Sequence, residues 1–349
     1  MNNGTPSGMT NKFLHSLAIL ALALSAAQAQ QSMAQSDPAH KGVALSPLAR
    51  RQRLQARLHL GAAEPNQSPN APPRAEGVES PKKAKVYNLR TVDYPAATRS
   101  EVFDYNDGSA VGYFQFESSP STAFYFKANV NHLLEIPGAV SSTIYGINAS
   151  GKMVGTYTEP TGNDHGFLYS GGSVTTLDFP GSSGTYAWSI NASGVIVGQY
   201  KDSSSTTHGF MYKNSTYTSI DVPGASTGFD AGTFPGAINS GEVIVGYYTV
   251  NTAPFLHGFT LSNGVFTSFD YPGADGTVAY GINDSGSISG IFLNNTFTEQ
   301  GYVEIGGAFT LVDVPGGTVD TNLYRIENNG YIIGSYIDSV GEYHGILGH

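Results

Sequence analysis

Four histidines recur at one position of a repeating pattern, and they are the residues best suited by type to metal or acid–base chemistry. His165, His208 and His257 each open a His-Gly-Phe element, and His344 opens His-Gly-Ile. Histidine is a common zinc ligand and a frequent general acid or base. A shared position raises the question of whether these side chains meet at one ion or serve one repeated structural purpose.

The spacing of these histidines favours the structural purpose. A carboxylate follows 13 residues after the position in five units, and the pairs are Thr122 with Glu135, His165 with Asp178, His208 with Asp221, His257 with Asp270, and Gln300 with Asp313. Zinc ligands must converge to about 2 Å from one ion, which equivalent positions of successive units do not do. We therefore predict one polar bond inside each unit, and neither a metal site nor a cofactor.

A second group of residues has the chemistry of ligand recognition. Aromatic side chains beside polar residues stack on sugars or grip a polar peptide. Those in or just after the most variable connections are Tyr186, Trp188, Phe229, Asp230, Phe234 and Tyr280. The alternative is that such aromatics wedge between neighbouring units, and for Trp188, the single tryptophan, the two interpretations stay open.

Catalytic constellations do not emerge from the sequence. It has no His-Glu-x-x-His motif and no phosphate-binding loop. Asp230, Asp275 and Asp320 recur in connecting loops, but no single loop supplies the six or more oxygens that calcium takes. Whether scattered carboxylates pair in space cannot be read from one sequence. We predict a non-enzymatic role, with a polysaccharide hydrolase or lyase as the alternative.

The elements that must position these residues come from a repeat that begins at residue 87. Ile147–Gly155 reads Ile-Asn-Ala-Ser-Gly-Lys-Met-Val-Gly, and close copies follow through the chain. The glycines that end the six copies are Gly112, Gly155, Gly198, Gly246, Gly290 and Gly334, spaced by 43 to 48 residues. A period near 44 fits a four-stranded propeller blade. The sequence predicts an all-β fold, a six-bladed β-propeller of antiparallel blades.

The ends of the repeat region predict that the ring is closed. The chain ends on His344–His349, which completes three strands of a unit, and the region starts with a lone fourth strand, Thr91–Pro95. An open solenoid would need polar caps at both ends. We expect the N-terminal strand to join the last blade and so remove both open edges.

Taken together, the His-Gly-Phe, Ile-Asn-x-x-Gly and Asp-x-Pro-Gly elements resemble those of the HAF-repeat family of secreted bacterial proteins. The resemblance covers residues 87–349 and implies an extracellular, propeller-like repeat protein. Gly166, Gly209 and Gly258 stand where the family's His-Ala-Phe element has alanine. The resemblance brings no catalytic residues with it.

The residues before the repeat predict export and a disordered linker. Lys12 precedes the apolar run Phe13–Leu24, and Ala27 and Ala29 form a small-x-small cleavage site, so residues 1–29 are predicted to be a signal peptide cut after Ala29. The run is too short to span a bilayer, and no other segment is long enough. Residues 30–86 are rich in Ala, Pro, Gln, Ser and Arg, a composition typical of disorder.

Charge divides the chain at the same point. Residues 30–90 have a net charge of +6, whereas residues 91–349 have a net charge of −17. Because phosphate contacts need clustered cations, the acidic domain is not expected to bind nucleic acid. The basic residues within 41–90 are interpreted as a solvated linker, with association to an anionic surface as the alternative. The chain contains no cysteine.

Together these observations predict an exported protein, extracellular or periplasmic, that acts as a binding or interaction module. Repeated residues build the scaffold, and function is expected where the copies differ. In each blade, the second-to-third (b–c) and fourth-to-first (d–a) connections share the variable face, and the expected partner is a glycan or an extracellular protein. A purely structural cell-envelope repeat protein is the third interpretation.

Overall fold

The structure is a computed structural model that describes residues 82–86, 89–91, 97, 99–106, 108–116, 119–128, 130–252, 255–294, 298–314, 320–337 and 343–348. The signal peptide predicted over residues 1–29 and most of the segment 30–86 lie outside the described residues. In the part of the chain that is described, no helix is long and apolar enough to cross a membrane.

All described secondary structure is β-strand, arranged as six antiparallel blades of four strands, which confirms the predicted six-bladed β-propeller. Blades 1 to 3 contain β3 (Arg99–Asn106), β4 (Ser109–Gln115), β5 (Thr122–Lys127), β6 (Val130–Leu133), β7 (Ser141–Ile147), β8 (Met153–Thr158), β9 (Asp164–Ser170), β10 (Ser173–Leu177), β11 (Gly184–Ile190), β12 (Ile196–Lys201), β13 (Thr207–Lys213) and β14 (Thr216–Ile220). Blades 4 to 6 contain β15 (Thr233–Ile238), β16 (Ile244–Thr249), β17 (Leu256–Ser262), β18 (Val265–Phe269), β19 (Gly276–Ile282), β20 (Ile288–Leu293), β21 (Glu299–Ile305), β22 (Ala308–Asp313), β23 (Asp320–Ile326), β24 (Ile332–Ile337), β25 (Tyr343–Gly348) and β2 (Leu89–Thr91).

The first strand of each blade is innermost, and the ring is closed. Strands β3, β7, β11, β15, β19 and β23 contact one another in a complete circuit, and β23 of blade 6 returns to β3 of blade 1. Strand β2 pairs antiparallel with β25, with Thr91 opposite Ile346. The prediction that the N-terminal strand completes the last blade is therefore confirmed, with its pairing centred slightly earlier in the chain.

A further strand extends the closure to the neighbouring blade. Strand β1 (Lys82–Val86) pairs in parallel with β22 at the outer edge of blade 5. Only two residues separate β1 from β2, so consecutive residues are bonded to two adjacent blades. This strand lies before residue 87, where the sequence analysis placed the start of the propeller, and inside the segment predicted to be disordered.

Each inner strand carries a β-bulge at the same place, and the bulge explains the repeated glycine of the second strand. The register shifts at Tyr145, at Trp188 and at the equivalent residue of every other blade. A Cβ on Gly155 or Gly198 would lie 2.0 Å from a carbonyl oxygen of the first strand of the same blade. The close approach that these glycines allow is therefore within a blade.

The hydrophobic core lies mainly between adjacent blades. One cluster joins Val245 of blade 4 to Tyr302 and Phe309 of blade 5, and similar clusters join other neighbours. Because a strand covered on both faces has no polar face, runs such as Val195-Ile196-Val197 are apolar without alternation. The ring therefore holds its inner strands as a rigid frame around the axis.

Candidate functional site

At one end of the axis, the turns between the first and second strands are joined by a ladder of asparagines. Asn148 Nδ2 donates to the carbonyl oxygen of Asn191 at 3.0 Å, and Asn191 Nδ2 donates to that of Asn239 at 3.1 Å. The ladder continues from Asn239 to Asn283 and from Asn283 to Glu327. Each Asn Oδ1 also accepts a backbone N–H of its own turn. The repeated asparagine therefore shapes its own hairpin and also links it to the next blade.

Above this ladder the axis is filled by the guanidinium group of Arg325. Its Nη1 donates to the carbonyl oxygens of Tyr280 at 2.7 Å, Tyr324 at 3.0 Å and Gly236 at 3.5 Å. Its Nη2 donates to those of Trp188 at 2.9 Å and Tyr145 at 3.5 Å. The bulges turn these five carbonyl groups, one each from blades 2 to 6, toward a single point. Arg325 thus bonds five blades at once.

Blade 1 contributes a carboxylate to the same point. Asp104 Oδ1 lies 3.8 Å from Arg325 Nε, and Asp104 Oδ2 accepts the backbone N–H of Ile147 at 2.9 Å. Burial raises the pKa of Asp104, although Arg325 lowers it. Glu327 replaces the ladder asparagine in blade 6 and hydrogen-bonds to Asp104, and burial together with that carboxylate raises the pKa of Glu327 to about 9. Arg325, Asp104 and a protonated Glu327 therefore seal the seam between blades 6 and 1.

The other side of Arg325 carries a circuit of aromatic rings, which we call the axial aromatic cluster. Its members follow one another around the axis, and they are Phe234, Tyr247, Tyr280, Tyr324, Phe103, Tyr145 and Trp188. Successive ring centroids are 4.2 to 6.4 Å apart. Five of these rings belong to bulge residues, and the bulge of blade 4 has Gly236 instead. Every blade thus supplies at least one ring.

The cluster lies toward the variable face, and one sector of it reaches solvent. The Tyr324 hydroxyl contacts Glu101, near the start of β3, where the connection from the preceding blade arrives. Phe103 and Tyr145 are buried, whereas Trp188 and Tyr280 are partly exposed. Within the described residues, the circuit of ring contacts is open between Trp188 of blade 3 and Phe234 of blade 4. No ring can stand on Gly236, because a Cβ there would lie 2.7 Å from the carbonyl oxygen of Ala279.

Polar groups are placed against the aromatic rings. Glu101 is 4 % exposed, and its Oε1 accepts from Arg99 Nε at 2.9 Å while its Oε2 accepts from the Tyr324 hydroxyl at 3.3 Å. The Tyr324 hydroxyl also lies 2.9 Å from Ser335 Oγ. Fixed acceptors and hydroxyls beside aromatic faces can orient a polar ligand.

The longest connection on the variable face, residues 221–232, is held firmly across blades 3 and 4. Thr207 N donates to Ala231 O at 2.8 Å, and Ser226 N donates to Thr249 O at 2.7 Å. Phe229 at its tip is 65 % exposed, and Asp230 Oδ1 lies 4.0 Å from Lys201 Nζ. The loop therefore presents its tip from a fixed base, in the same sector as the opening of the aromatic circuit.

The structure places the predicted ligand-binding residues in separate groups. Trp188, Phe234 and Tyr280 belong to the axial aromatic cluster, whereas Phe229 and Asp230 lie on the long loop of residues 221–232. Tyr186 differs, because it is 3 % exposed and its hydroxyl donates to Asp164 Oδ2 at 2.7 Å. Burial raises the pKa of Asp164 and that of Tyr186. We therefore place Tyr186 in the contact between blades 2 and 3 and leave it out of the candidate site.

The recurring histidines lie outside the axial site. His165 Nδ1 is 3.0 Å from Asp178 Oδ2, His208 Nδ1 is 2.7 Å from Asp221 Oδ1, and His257 Nδ1 is 2.8 Å from Asp270 Oδ1. Each ring packs on a tyrosine of the preceding strand. His344 packs likewise on Tyr336, and the side chain of Asp313 lies outside the described residues. Among the described residues, no group of three His, Asp or Glu side chains is placed to hold a metal ion.

Sequence reasoning missed the residues at the centre of the site. Arg325 occupies the position that is Gly146, Ser189, Ala237 and Gly281 in other blades, and Asp104 occupies it in blade 1. Tyr324 was missed because it is itself a bulge residue, and Glu101 was missed because its partner Tyr324 comes from the last blade. One signal was available in the sequence. Four blades have a small residue at this position, whereas blade 1 has the negatively charged Asp104 and blade 6 has the positively charged Arg325.

This chain resembles known proteins in structure. No protein-family model matches it, and no curated protein sequence matches it significantly. It is similar in structure to virginiamycin B lyase from Staphylococcus aureus (12% identity, TM-score 0.43, covering 74% of this chain and 88% of that one). It is also similar to AofleA from Arthrobotrys oligospora (12%, 0.47, covering 80% and 90%). A third similar structure is a mutant of Aleuria aurantia lectin in complex with alpha-methyl-L-fucoside (12%, 0.45, covering 71% and 90%). Likenesses of such low identity and TM-score support no inference about what this chain binds.

Proposed function

We propose that this protein is an exported carbohydrate-binding propeller and that it binds its ligand at the axial aromatic cluster. The observation that carries the proposal is the partly exposed sector of that cluster, in which Trp188, Phe234 and Tyr280 come from three consecutive blades. Aromatic faces beside fixed polar groups are typical of sugar-binding sites. An acidic, rigid scaffold with variation confined to one face also suits a binding module.

The chemistry of Glu101 and Asp164 favours binding over hydrolysis. Glu101 accepts hydrogen bonds from Arg99 and Tyr324. Asp164 accepts hydrogen bonds from Thr158 and Tyr186. A glycosidase needs one carboxyl group poised to protonate the leaving oxygen and a second one facing it across the bond. Carboxylates that already accept from side-chain donors are better suited to holding a fixed hydrogen-bond pattern.

Export is the second part of the proposal. The apolar run Phe13–Leu24 and the Ala27-x-Ala29 pattern support it, as does the resemblance to HAF repeats. Expression of the full chain with its own N-terminus tests this part directly. Mass spectrometry of the exported protein should find a chain that begins near residue 30, and an intact Met1 in a cytoplasmic product would contradict export.

Binding is tested with the mature protein on a glycan array, in parallel with two single variants. Trp188→Ala removes the partly exposed ring and leaves the carbonyl that bonds Arg325. Phe116→Ala is the matched control, because it removes an exposed aromatic ring that lies outside the axial aromatic cluster. We expect array signals that W188A abolishes and F116A retains. An array without signals, or signals that both variants retain, would contradict the proposal.

A further inference from the structure

We infer that the axial site takes a single terminal, uncharged sugar residue per chain, which enters end-on from the variable face. This inference deepens the proposed function and rests on it. It follows from three features of the described residues: what closes the axis, how the aromatic rings are distributed, and which charges face them.

The axis is closed on the far side. The guanidinium group of Arg325 fills the centre of the ring with hydrogen bonds to five inner strands and a contact to Asp104 of the sixth. The asparagine ladder continues the closure below it. A ligand that reaches the aromatic rings therefore has no exit beyond them. A polysaccharide cannot thread through, and only the end of a chain fits.

The partly exposed rings, which also include Tyr247 and Tyr324, come from successive blades around the axis. Trp188, Phe234 and Tyr280 belong to the inner strands of blades 3, 4 and 5, which are neighbours around the ring. A groove for several consecutive sugars would spread its aromatic platforms along one direction. Rings that surround one position grip one sugar residue from several sides. Because the six inner strands form a single ring, there is one such position in each chain.

The charges beside the rings favour a neutral sugar. The Tyr324 hydroxyl contacts Ser335 Oγ and the carboxylate of Glu101, and that carboxylate is a pure acceptor that suits the hydroxyl groups of a sugar. Arg99 is already bonded to that carboxylate. On the rim, Lys201 faces Asp230 at 4.0 Å. Residues 91–349 as a whole have a net charge of −17, which repels an anionic ligand.

The experiment compares defined probes against the mature protein. Methyl glucoside, methyl galactoside and methyl mannoside are tested against methyl glucuronide and methyl galacturonide, by saturation-transfer NMR and calorimetry. For the best neutral sugar, oligomers of two to six residues follow, together with a dimer whose non-reducing end is blocked by a methyl ether. The variants are W188A, Glu101→Gln and F116A, with thermal melting to check that each folds.

We expect one binding site per chain and at least a tenfold preference for a neutral glycoside over its uronide. Affinity should change less than about threefold from dimer to hexamer, and the blocked end should abolish binding. W188A and E101Q should each weaken binding at least tenfold, and F116A should not. Because E101Q alters a buried group, W188A decides the matter if E101Q does not fold.

The outcomes separate this inference from the proposed function. Affinity that rises steadily with oligomer length, more than one site per chain, equal binding of uronides, or silence of every probe would overturn the end-on neutral site. If the glycan array nevertheless shows W188A-dependent signals, the carbohydrate-binding proposal stands and only this inference falls. If the array is also blank, both fall.

Discussion

The two ends of the propeller axis are built on opposite rules. At the turn end, the same residue recurs from blade to blade: Asn148, Asn191, Asn239 and Asn283 are all buried, and each bonds the next. At the aromatic end, the bulge residue changes from blade to blade, from Phe103 to Gly236. Uniform chemistry closes a ring, since each blade must offer its neighbour the same partner. Varied chemistry makes the ring asymmetric, which is what a single site requires.

Arg325 stands between the two ends, so its removal should have the largest effect. Arg325→Ala would leave five inward carbonyl groups without their donor and Asp104 without its cation. Breaking a buried charged network by removing one partner costs about 3–5 kcal/mol. We expect a large fall in the denaturation midpoint of R325A. Partial recovery by millimolar methylguanidinium, and none by sodium at equal ionic strength, would identify the vacated guanidinium position as the cause.

Arg325→Lys sharpens this prediction. A lysine keeps the charge but carries three donors from one nitrogen and cannot span the carbonyl ring as a planar fork does. R325K should therefore recover less than half of the lost stability. A fully stable R325A protein would show that the blades close without the hydrogen bonds of Arg325. The assignment of ring closure to the turn end would then be wrong.

The asparagine ladder is tested by Asn239→Ala, for which we expect the second largest loss of stability. The variant removes the donor to Asn283 and the acceptor for Val243 N in a residue that is 7 % exposed. An unsatisfied buried backbone group costs about 1–3 kcal/mol. The unfolding free energy of N239A should fall by that amount while sugar affinity stays within twofold of the unmodified protein. A loss of affinity at unchanged stability would show that the turn end takes part in binding.

These two cases show how far sequence reasoning reaches. The ladder position was visible because Ile-Asn-x-x-Gly repeats, and the fold followed from the same repeats and from the unfinished last unit. Arg325 was not visible, because its role depends on a bulge that turns six different strands toward one point. A bulge is a local register shift, and no residue pattern within a single unit predicts it. The contact of Tyr186 was not visible either, because its partner Asp164 comes from the neighbouring blade.

The aromatic end is tested by Trp188→Ala, for which we expect the opposite of N239A: a loss of sugar affinity with little loss of stability. The ring of Trp188 is partly exposed and contacts Tyr145, with centroids 4.2 Å apart. Losing one stacking face should weaken sugar binding at least tenfold, which corresponds to about 1.4 kcal/mol. The melting temperature should change less than it does in N239A. A W188A protein that binds normally but melts much earlier would make Trp188 a packing wedge, the alternative left open by the sequence.

Glu327 connects stability at the turn end with pH. Its pKa is raised to about 9 by burial and by Asp104, above the usual glutamate value of 4.5. The folded state therefore holds a proton that the unfolded state releases between these values, and Glu327's contribution to stability falls as pH rises from about 5 to 9. Glu327→Gln cannot lose that proton, so the stability of E327Q relative to the unmodified protein should rise over this range. A difference of one between the pKa of Glu327 in the folded state and that in the unfolded state corresponds to ~1.4 kcal/mol of stability. Parallel pH profiles of the two proteins would contradict a raised pKa.

The smallest effect is expected at the repeated histidines, which belong to neither end of the axis. Blade 5 already carries Gln300 at this position, so His208→Gln copies a substitution that the scaffold itself contains. The partner Asp221 has a side chain that is 52% exposed, and exposed pairs contribute about 0–1 kcal/mol. Denaturant unfolding of H208Q should therefore change by less than about 1 kcal/mol, with sugar binding unaffected. A larger loss would mean that the bond between the third and fourth strands holds the outer edge of the blade in place, so that repeated chemistry supports the rim as well as the turn end.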